Sequence, residues 1–232
     1  LRGLPTEAAW DLGRRSAEQL QDLYELEEGE PMRSLALSVW GTATMRNGGE
    51  DIAQMFALVG VRPVWDGPTR RMVDLELIPL SLLERPRVDV TLRMSGLFRD
   101  AFPQLLAWVD RALAMVAELD ESDTDNPLAA LTRRDGPQAR LFGSAPGSYG
   151  AGLQALIDSG QWEEREELGE AYLAWSSWRY DADATAHQDR NGLEQALQNV
   201  QVVLHNQDNR EHDLLDSDDY YQFQGGLAAA VQ

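Results

Sequence analysis

Between Asn206 and Gly226 the chain reads NQDNREHDLLDSDDYYQFQGG: six carboxylates, one histidine and two adjacent tyrosines, closing on a Gly-Gly pair. No other stretch is as dense in groups that bind metals or move protons. Asp208, Glu211, His212 and Asp213 fall within about a turn and a half of helix, or in a loop. A histidine among carboxylates suits a divalent transition metal, and His212 or a carboxylate could equally accept a proton. A plainer reading competes. Asp216 or Ser217 caps a short helix, acidic residues fill its first turn, Leu215 packs on Tyr220, and Gly225-Gly226 ends it. Capping accounts for Asp216 to Asp219 and leaves the Asp208–Asp213 cluster unexplained.

Three further segments carry candidate groups. WGTATMRNGGED, residues 40–51, follows an expected strand and precedes an expected helix, where backbone N–H groups and Arg46 favour an anion such as a carboxylate; it reads equally as a tight turn with acidic residues on the helix dipole. It is not a GxGxxG fingerprint, so no dinucleotide is indicated. Arg93-Met-Ser-Gly-Leu-Phe-Arg99-Asp100 also leads from strand to helix. Arg93 and Arg99 could clamp carboxylates in bidentate fashion, or Asp100 could cap the helix with Arg99 solvated beside it. Trp175, Trp178 and Tyr180 read as helix–helix packing, although a flat ligand would also suit them.

The elements that must position these groups follow from periodicity. A helix from a Thr6 cap to about Glu28 stops at Gly29 and Pro31. Leu35–Trp40 is an apolar run between turn signals, a buried strand. Gly41–Gly49 reads as a loop, with a helix then running from Glu50 to Gly60. Val61–Trp65, Leu75–Leu80 and Val88–Met94 read as strands around an Asp66-Gly67-Pro68 turn. Phe102–Val116 has helical spacing, with Pro103 tolerated in its first turn. After a polar stretch and a glycine-rich loop from Phe142, the segments Gly152–Ser159, Trp162–Arg179 and Leu193–His205 look helical, with no strand beyond about residue 145. The expected fold is α/β: a mainly parallel sheet with flanking helices in the N-terminal part, then an all-helical C-terminal part. The corresponding domains are 1–120, a connecting loop 121–145, and a helical region 146–232 carrying the acidic His-containing motif.

Composition sets limits. The 232 residues suffice for one large core or two modest ones. A net charge of −19 disfavours nucleic acid and anionic lipid. Every basic residue is arginine, so this chain has no lysine for a Walker A loop. The absence of cysteine excludes disulfides, iron–sulfur clusters and thiol catalysis here, and fits a cytoplasmic protein. No apolar run is long enough to span a membrane. The start, LRGLPTEAAW, reads as the interior of a longer polypeptide.

Four stretches together resemble a known family: SVWGTATMRNGGEDIAQMFALVGVRPVWD, ELIPLSLLERPRVDVTLRMSGLFRDAFP, FGSAPGSYGAGLQALIDSGQWE and NQDNREHDLLDSDDYYQFQGG. In order and spacing, from about Leu1 to Gln232, they are similar to the C-terminal portion of the large subunit of the cobaltochelatase and magnesium chelatase family. The second and fourth lie closest to the cobalt branch; in the magnesium branch the position of His212 is not histidine. The resemblance implies a subunit that binds a tetrapyrrole and the metal. Two AAA+ type ATPase-motor subunits would handle ATP with magnesium, which this chain does not. Cobalt(II), as substrate metal, would be inserted into a hydrogenobyrinic acid diamide in cobalamin biosynthesis, and the isolated fragment would be inactive.

Chemical reasoning then assigns roles. His212 and Glu211 are the candidate catalytic groups. His212, Asp208, Glu211 and Asp213 are the candidate metal ligands. Arg46, Arg93 and Arg99 are candidates for the substrate's carboxylates. The alternatives are a non-catalytic acidic module docking an ATPase partner, or the magnesium-chelatase counterpart. A standalone metallohydrolase is disfavoured, since no histidine pair has HxxxH or HxH spacing.

Overall fold

The computed structural model describes residues 3–208 and 218–231. Helix α1 (Glu7–Glu28) starts where Thr6 Oγ1 accepts from Ala9 N and stops where the Gly29 N–H donates to Glu25 O. Strand β1 (Ser34–Val39) then leads directly into α2 (Gly41–Asn47) and α3 (Glu50–Val59). The expected loop at 41–49 is therefore mostly a short helix. The chain continues through β2 (Val61–Trp65), β3 (Met72–Leu77), α4 (Leu80–Leu83), β4 (Asp89–Met94), α5 (Gly96–Ala101) and α6 (Pro103–Ala117). Ser95 caps α5, its side chain accepting from Phe98 N; Asp100, a possible cap for the helix expected from Phe102, lies inside α5, and α6 begins after Phe102 with no side-chain cap.

Beyond residue 120 come α7 (Pro127–Asp135), β5 (Leu141–Gly143), α8 (Gln154–Ser159), α9 (Arg165–Ser176), β6 (Trp178–Tyr180), β7 (Ala186–Gln188), α10 (Arg190–Leu197) and β8 (Val202–Leu204). Past the undescribed stretch, α11 (Asp218–Tyr220), a π-helical turn (Tyr221–Gly225) and α12 (Gly226–Ala230) run on without a break.

Six strands form one sheet in the order β7-β6-β5-β4-β1-β8. β8, β1, β4 and β5 are parallel, and β6 and β7 are antiparallel additions. The α/β class and mainly parallel sheet thus match the expectation. The all-helical C-terminal part does not. The three-residue strands β6, β7 and β8 complete the sheet, each too short to show a period against neighbouring helical spacing. Strands on both sides of 121–145 hydrogen-bond in this one sheet, and that stretch itself contributes α7 and β5. β2 and β3 leave the main sheet and pair with each other. The short link through Asp66-Gly67-Pro68 permits a hairpin but no parallel crossover.

Because the sheet is covered on both faces, β1 and β4 are buried almost throughout. Leu35, Leu37 and Val39 face α3 and α6, against Phe56, Leu58 and Val109. Ala36 and Phe142 face the other layer, with Tyr172, Leu193, Phe223 and Leu227. α1 lies outside α3 and crosses it at Gly13, where a Cβ would stand 2.6 Å from Gln54 N. Gly225-Gly226 does not end the last helix. Gly226 instead admits the Tyr172 ring and Leu153, whose Cδ1 would lie 2.6 Å from an added Cβ.

Candidate functional site at the carboxyl edge of the sheet

Parallel strands send their carboxyl ends to a common edge. Trp40 after β1, Ser95 after β4, Ser144 after β5 and His205 after β8 therefore share one rim. From β1 the chain builds outward through β4 and β5, then returns to lay β8 on the opposite side. The strand order thus reverses between β1 and β8, the place where open α/β sheets bind ligands.

Aromatic rings gather at that point. Trp40 stacks on Tyr220 at 5.4 Å, meets Phe223 edge-on at 5.4 Å and lies 4.5 Å from the His205 ring. His205 and Tyr220 are 5.2 Å apart. Burial lowers the His205 pKa, with Asp208 and the Ser38 backbone opposing, so the ring is neutral at pH 7. Its Nδ1, Trp40 Nε1 and Ser38 Oγ are buried without hydrogen-bond partners. Such orphans mark a place built for a further polar partner.

Beside this cluster lies a polar cavity of 270 Å³, lined by Asn47, Glu50, Asp51, His205, Asn206 and Asp208 among others. A larger cleft of 470 Å³ between α9, α10 and α12 has no aromatic or cationic lining. The smaller cavity is the better candidate on chemistry. Asp208 accepts from Arg46 Nε at 2.7 Å and Nη2 at 2.9 Å. Asn206 Nδ2 donates to Asp51 Oδ1 at 2.8 Å and Gln54 Oε1 at 2.6 Å. Burial pushes the Asp51 carboxyl up from 3.8 to about 6; the Asn206 amide opposes the rise, and Asp208 and Glu50 add to it. Glu50 is raised in turn by burial and by Asp208.

Of the candidates from sequence, the structure joins Arg46 to Asp208. Glu211, His212 and Asp213 lie outside the described residues. Among the described residues no three His, Asp or Glu side chains converge on a metal position. Arg93 and Arg99 are buried, at 1% and 5% exposure. Arg93 donates to Ser176 Oγ and to the Met94 and Gly150 carbonyls, with Phe223 and Tyr172 against its guanidinium. Arg99 grips both Asp100 oxygens and donates to the Ser144 and Ala145 carbonyls. In this structure both arginines therefore brace the loop after β5 against the end of β4. Trp175 is 40% exposed and packs over Gly152, while Trp178 lies in β6.

Sequence reasoning missed Trp40, His205, Asn206 and Asp51 as site residues. For Trp40 the signal was its place at the end of the apolar run Leu35–Trp40, which the structure shortens to Val39 so that Trp40 stands just past the strand. For His205 it lay in Val202-Val203, a β-branched pair hidden behind the helical spacing of Leu193 and Leu197.

The family model described as CobN/Magnesium Chelatase matches residues 1–232. The chain belongs to this family. An aerobic cobaltochelatase subunit CobN of Pseudomonas aeruginosa is 51% identical over 100% of the chain, which covers 20% of that relative. The chloroplastic magnesium-chelatase subunit ChlH of Oryza sativa subsp. japonica is 30% identical over 95% of the chain and 17% of its own length. The solved catalytic subunit of cobaltochelatase from Mycobacterium tuberculosis superposes with a TM-score of 0.95 at 43% identity, covering 99% of this chain and 20% of that one. The chain thus spans about one fifth of the length of these relatives. No helix among the described residues is long and apolar enough to cross a membrane.

Proposed function

We propose that this chain is part of the tetrapyrrole- and metal-binding subunit of an ATP-dependent cobaltochelatase, which inserts cobalt(II) into a hydrogenobyrinic acid diamide in the cytoplasm. The observation that carries the proposal is the 51% identity to a cobaltochelatase subunit across the whole chain. Metal insertion makes three demands. The ion must exchange water for a few labile ligands, two pyrrole nitrogens must lose protons, and the macrocycle must bend so that its lone pairs reach the metal.

The first two demands fall to the 209–217 segment. Its flanking residues His205 and Tyr220 meet at the strand-order reversal. His212, Glu211 and Asp213 are the ligands we assign to cobalt(II), and His212 and Glu211 the proton acceptors. Asp208 has both oxygens on Arg46, which favours a tether over a ligand. Arg46, whose side chain is 49% exposed beside Asp208, is the group we assign to a substrate carboxylate. Arg93 and Arg99 serve substrate binding by holding the wall behind it. Trp40, Tyr220 and Phe223 give the site flat apolar surface suited to a macrocycle. Bending the ring and hydrolysing ATP fall to two AAA+ motor subunits.

Titrating the intact subunit with cobalt(II) and tetrapyrrole, with and without its ATPase partners, tests this reading. His212→Ala should abolish most cobalt insertion by the complete complex; a wild-type rate would remove His212 from the chemistry. The net charge of −19 supports a second reading, an acidic module that docks a basic partner. That reading predicts association that collapses as salt rises, with no cobalt bound.

A further inference from the structure

Three arginines stand toward the carboxyl end of the sheet, and their surroundings differ. Arg46 holds Asp208 and Arg99 holds Asp100. Arg93 has no carboxylate partner among the described residues. It is enclosed, at 1% exposure. Its N–H groups go to neutral acceptors: Ser176 Oγ at 3.1 and 3.0 Å, the Met94 carbonyl at 2.7 Å and the Gly150 carbonyl at 3.0 Å. The Phe223 and Tyr172 rings lie 5.0 and 5.6 Å from the guanidinium carbon. Burial lowers the Arg93 pKa; Tyr172 and Tyr180 oppose that, and Arg99, a second cation, adds to it. A guanidinium keeps its proton even so. The carbonyls and rings offset part of the cost of burying this charge and leave the charge itself unneutralised. Phe223 also meets Trp40 at 5.4 Å. The cation therefore stands behind the aromatic cluster where the strand order reverses. The cavity beside that cluster is lined by Glu50, Asp51 and Asp208, in a chain of net charge −19. A ligand bearing carboxylates is repelled there by the protein's own. Among the described residues, Arg93 is the cation at this place that no carboxylate holds.

We propose that Arg93 is a specificity-determining residue: without touching the ligand, its uncompensated buried charge favours a macrocycle that retains carboxylates over one whose side chains are neutral. The inference rests on the reading that the tetrapyrrole lies against Trp40. Phe223 contacts both residues, so Trp40 is within about 10 Å of the guanidinium, and at an effective dielectric of about 20 a unit charge at that range changes affinity about tenfold.

The test titrates the full-length subunit, by tryptophan fluorescence, with two ligands. One is the hydrogenobyrinic acid diamide. The other is its fully amidated counterpart, with the same ring and uncharged side chains. Two variants remove the free charge by opposite routes. Arg93→Gln deletes the cation and keeps a hydrogen-bonding side chain. Ser176→Asp keeps the arginine and gives it a carboxylate where the Ser176 hydroxyl now accepts. Each should weaken the diamide about tenfold and leave the amidated ligand within about twofold of wild type. Where one variant fails to fold, the other carries the test. An unchanged ratio of the two affinities, or equal weakening of both ligands, overturns the inference, because lost packing does not distinguish charged from neutral side chains. Trp40→Leu reports on the placement separately and should weaken both ligands alike. Wild-type binding of both by Trp40→Leu would sink the reading that the macrocycle lies there, and the inference with it.

Discussion

Asp51→Asn is the perturbation whose size the structure fixes best. The substitution keeps the shape and leaves an oxygen to accept from Asn206, but removes a buried charge beside Asp208 and Glu50. A carboxyl whose pKa rises from 3.8 to about 6 on folding favours the folded state only while it is protonated. Its contribution is fully present below pH 3.8 and is lost as pH rises through about 6. At about 1.4 kcal/mol per pKa unit, the loss above that window approaches roughly 3 kcal/mol. The rise to about 6 already includes the opposing Asn206 hydrogen bond, so the weakening of that bond in the variant is not subtracted a second time. Asp51→Asn should therefore stabilise the chain by up to about 3 kcal/mol at pH 8, and the gain should vanish toward pH 4. Urea unfolding of both proteins at a series of pH values, followed by tryptophan fluorescence and circular dichroism, reads the difference as a shift in midpoint at constant slope. His205, with its lowered pKa, destabilises both proteins on acidification; taking the difference between them removes that contribution. Parallel stability curves across pH 4–8 would refute the argument that burial and neighbouring carboxylates hold Asp51 high.

Two further outcomes follow from geometry. Gly226→Ala pushes a methyl into Leu153 and the Tyr172 ring and should cost about 1–3 kcal/mol. Gly225→Ala next to it meets only Tyr221 Cβ at 3.5 Å and should be neutral or mildly stabilising. Equal destabilisation by both in thermal melts would contradict the close approach of α12 to α9. Arg46→Ala removes a bidentate partner from Asp208, whose side chain is 9% exposed beside Glu50 and Asp51, and should cost about 1–3 kcal/mol of stability. In the complete complex it should also weaken tetrapyrrole binding measurably by fluorescence titration. Unchanged affinity would remove Arg46 from the substrate's path.

Local chemistry made some elements legible in the sequence and non-local pairing hid others. α1 carries its own boundaries, Thr6 at one end and Gly29 at the other, so both were readable. Val61–Trp65 was recognisable as a strand from its composition, but its partner was not, because pairing depends on which connection the chain length permits. β8 was obscured because Val200 extends the apolar spacing of α10, and a three-residue strand leaves too short a pattern to compete. The site shows the same division. Arg46 and Asp208 were picked out separately by residue type, yet they are 162 positions apart and nothing local announces their pairing. Asn206 and Asp51, 155 positions apart, became visible only when the return of the chain beside β1 set one against the other. Arg93 and Arg99 illustrate the reverse case. Charge marked them as ligand contacts, whereas in this fold their donors go to backbone carbonyls, the Ser176 and Tyr180 hydroxyls and Asp100.

The most direct measurement is the position of cobalt itself: anomalous diffraction from crystals of the full-length subunit soaked with cobalt(II) and tetrapyrrole. The account predicts an anomalous peak bonded to His212, over the Trp40–His205 end of the sheet, with the macrocycle against Trp40 and Tyr220. A peak on the opposite edge of the sheet, or one held by residues remote from the 209–217 segment, would contradict it.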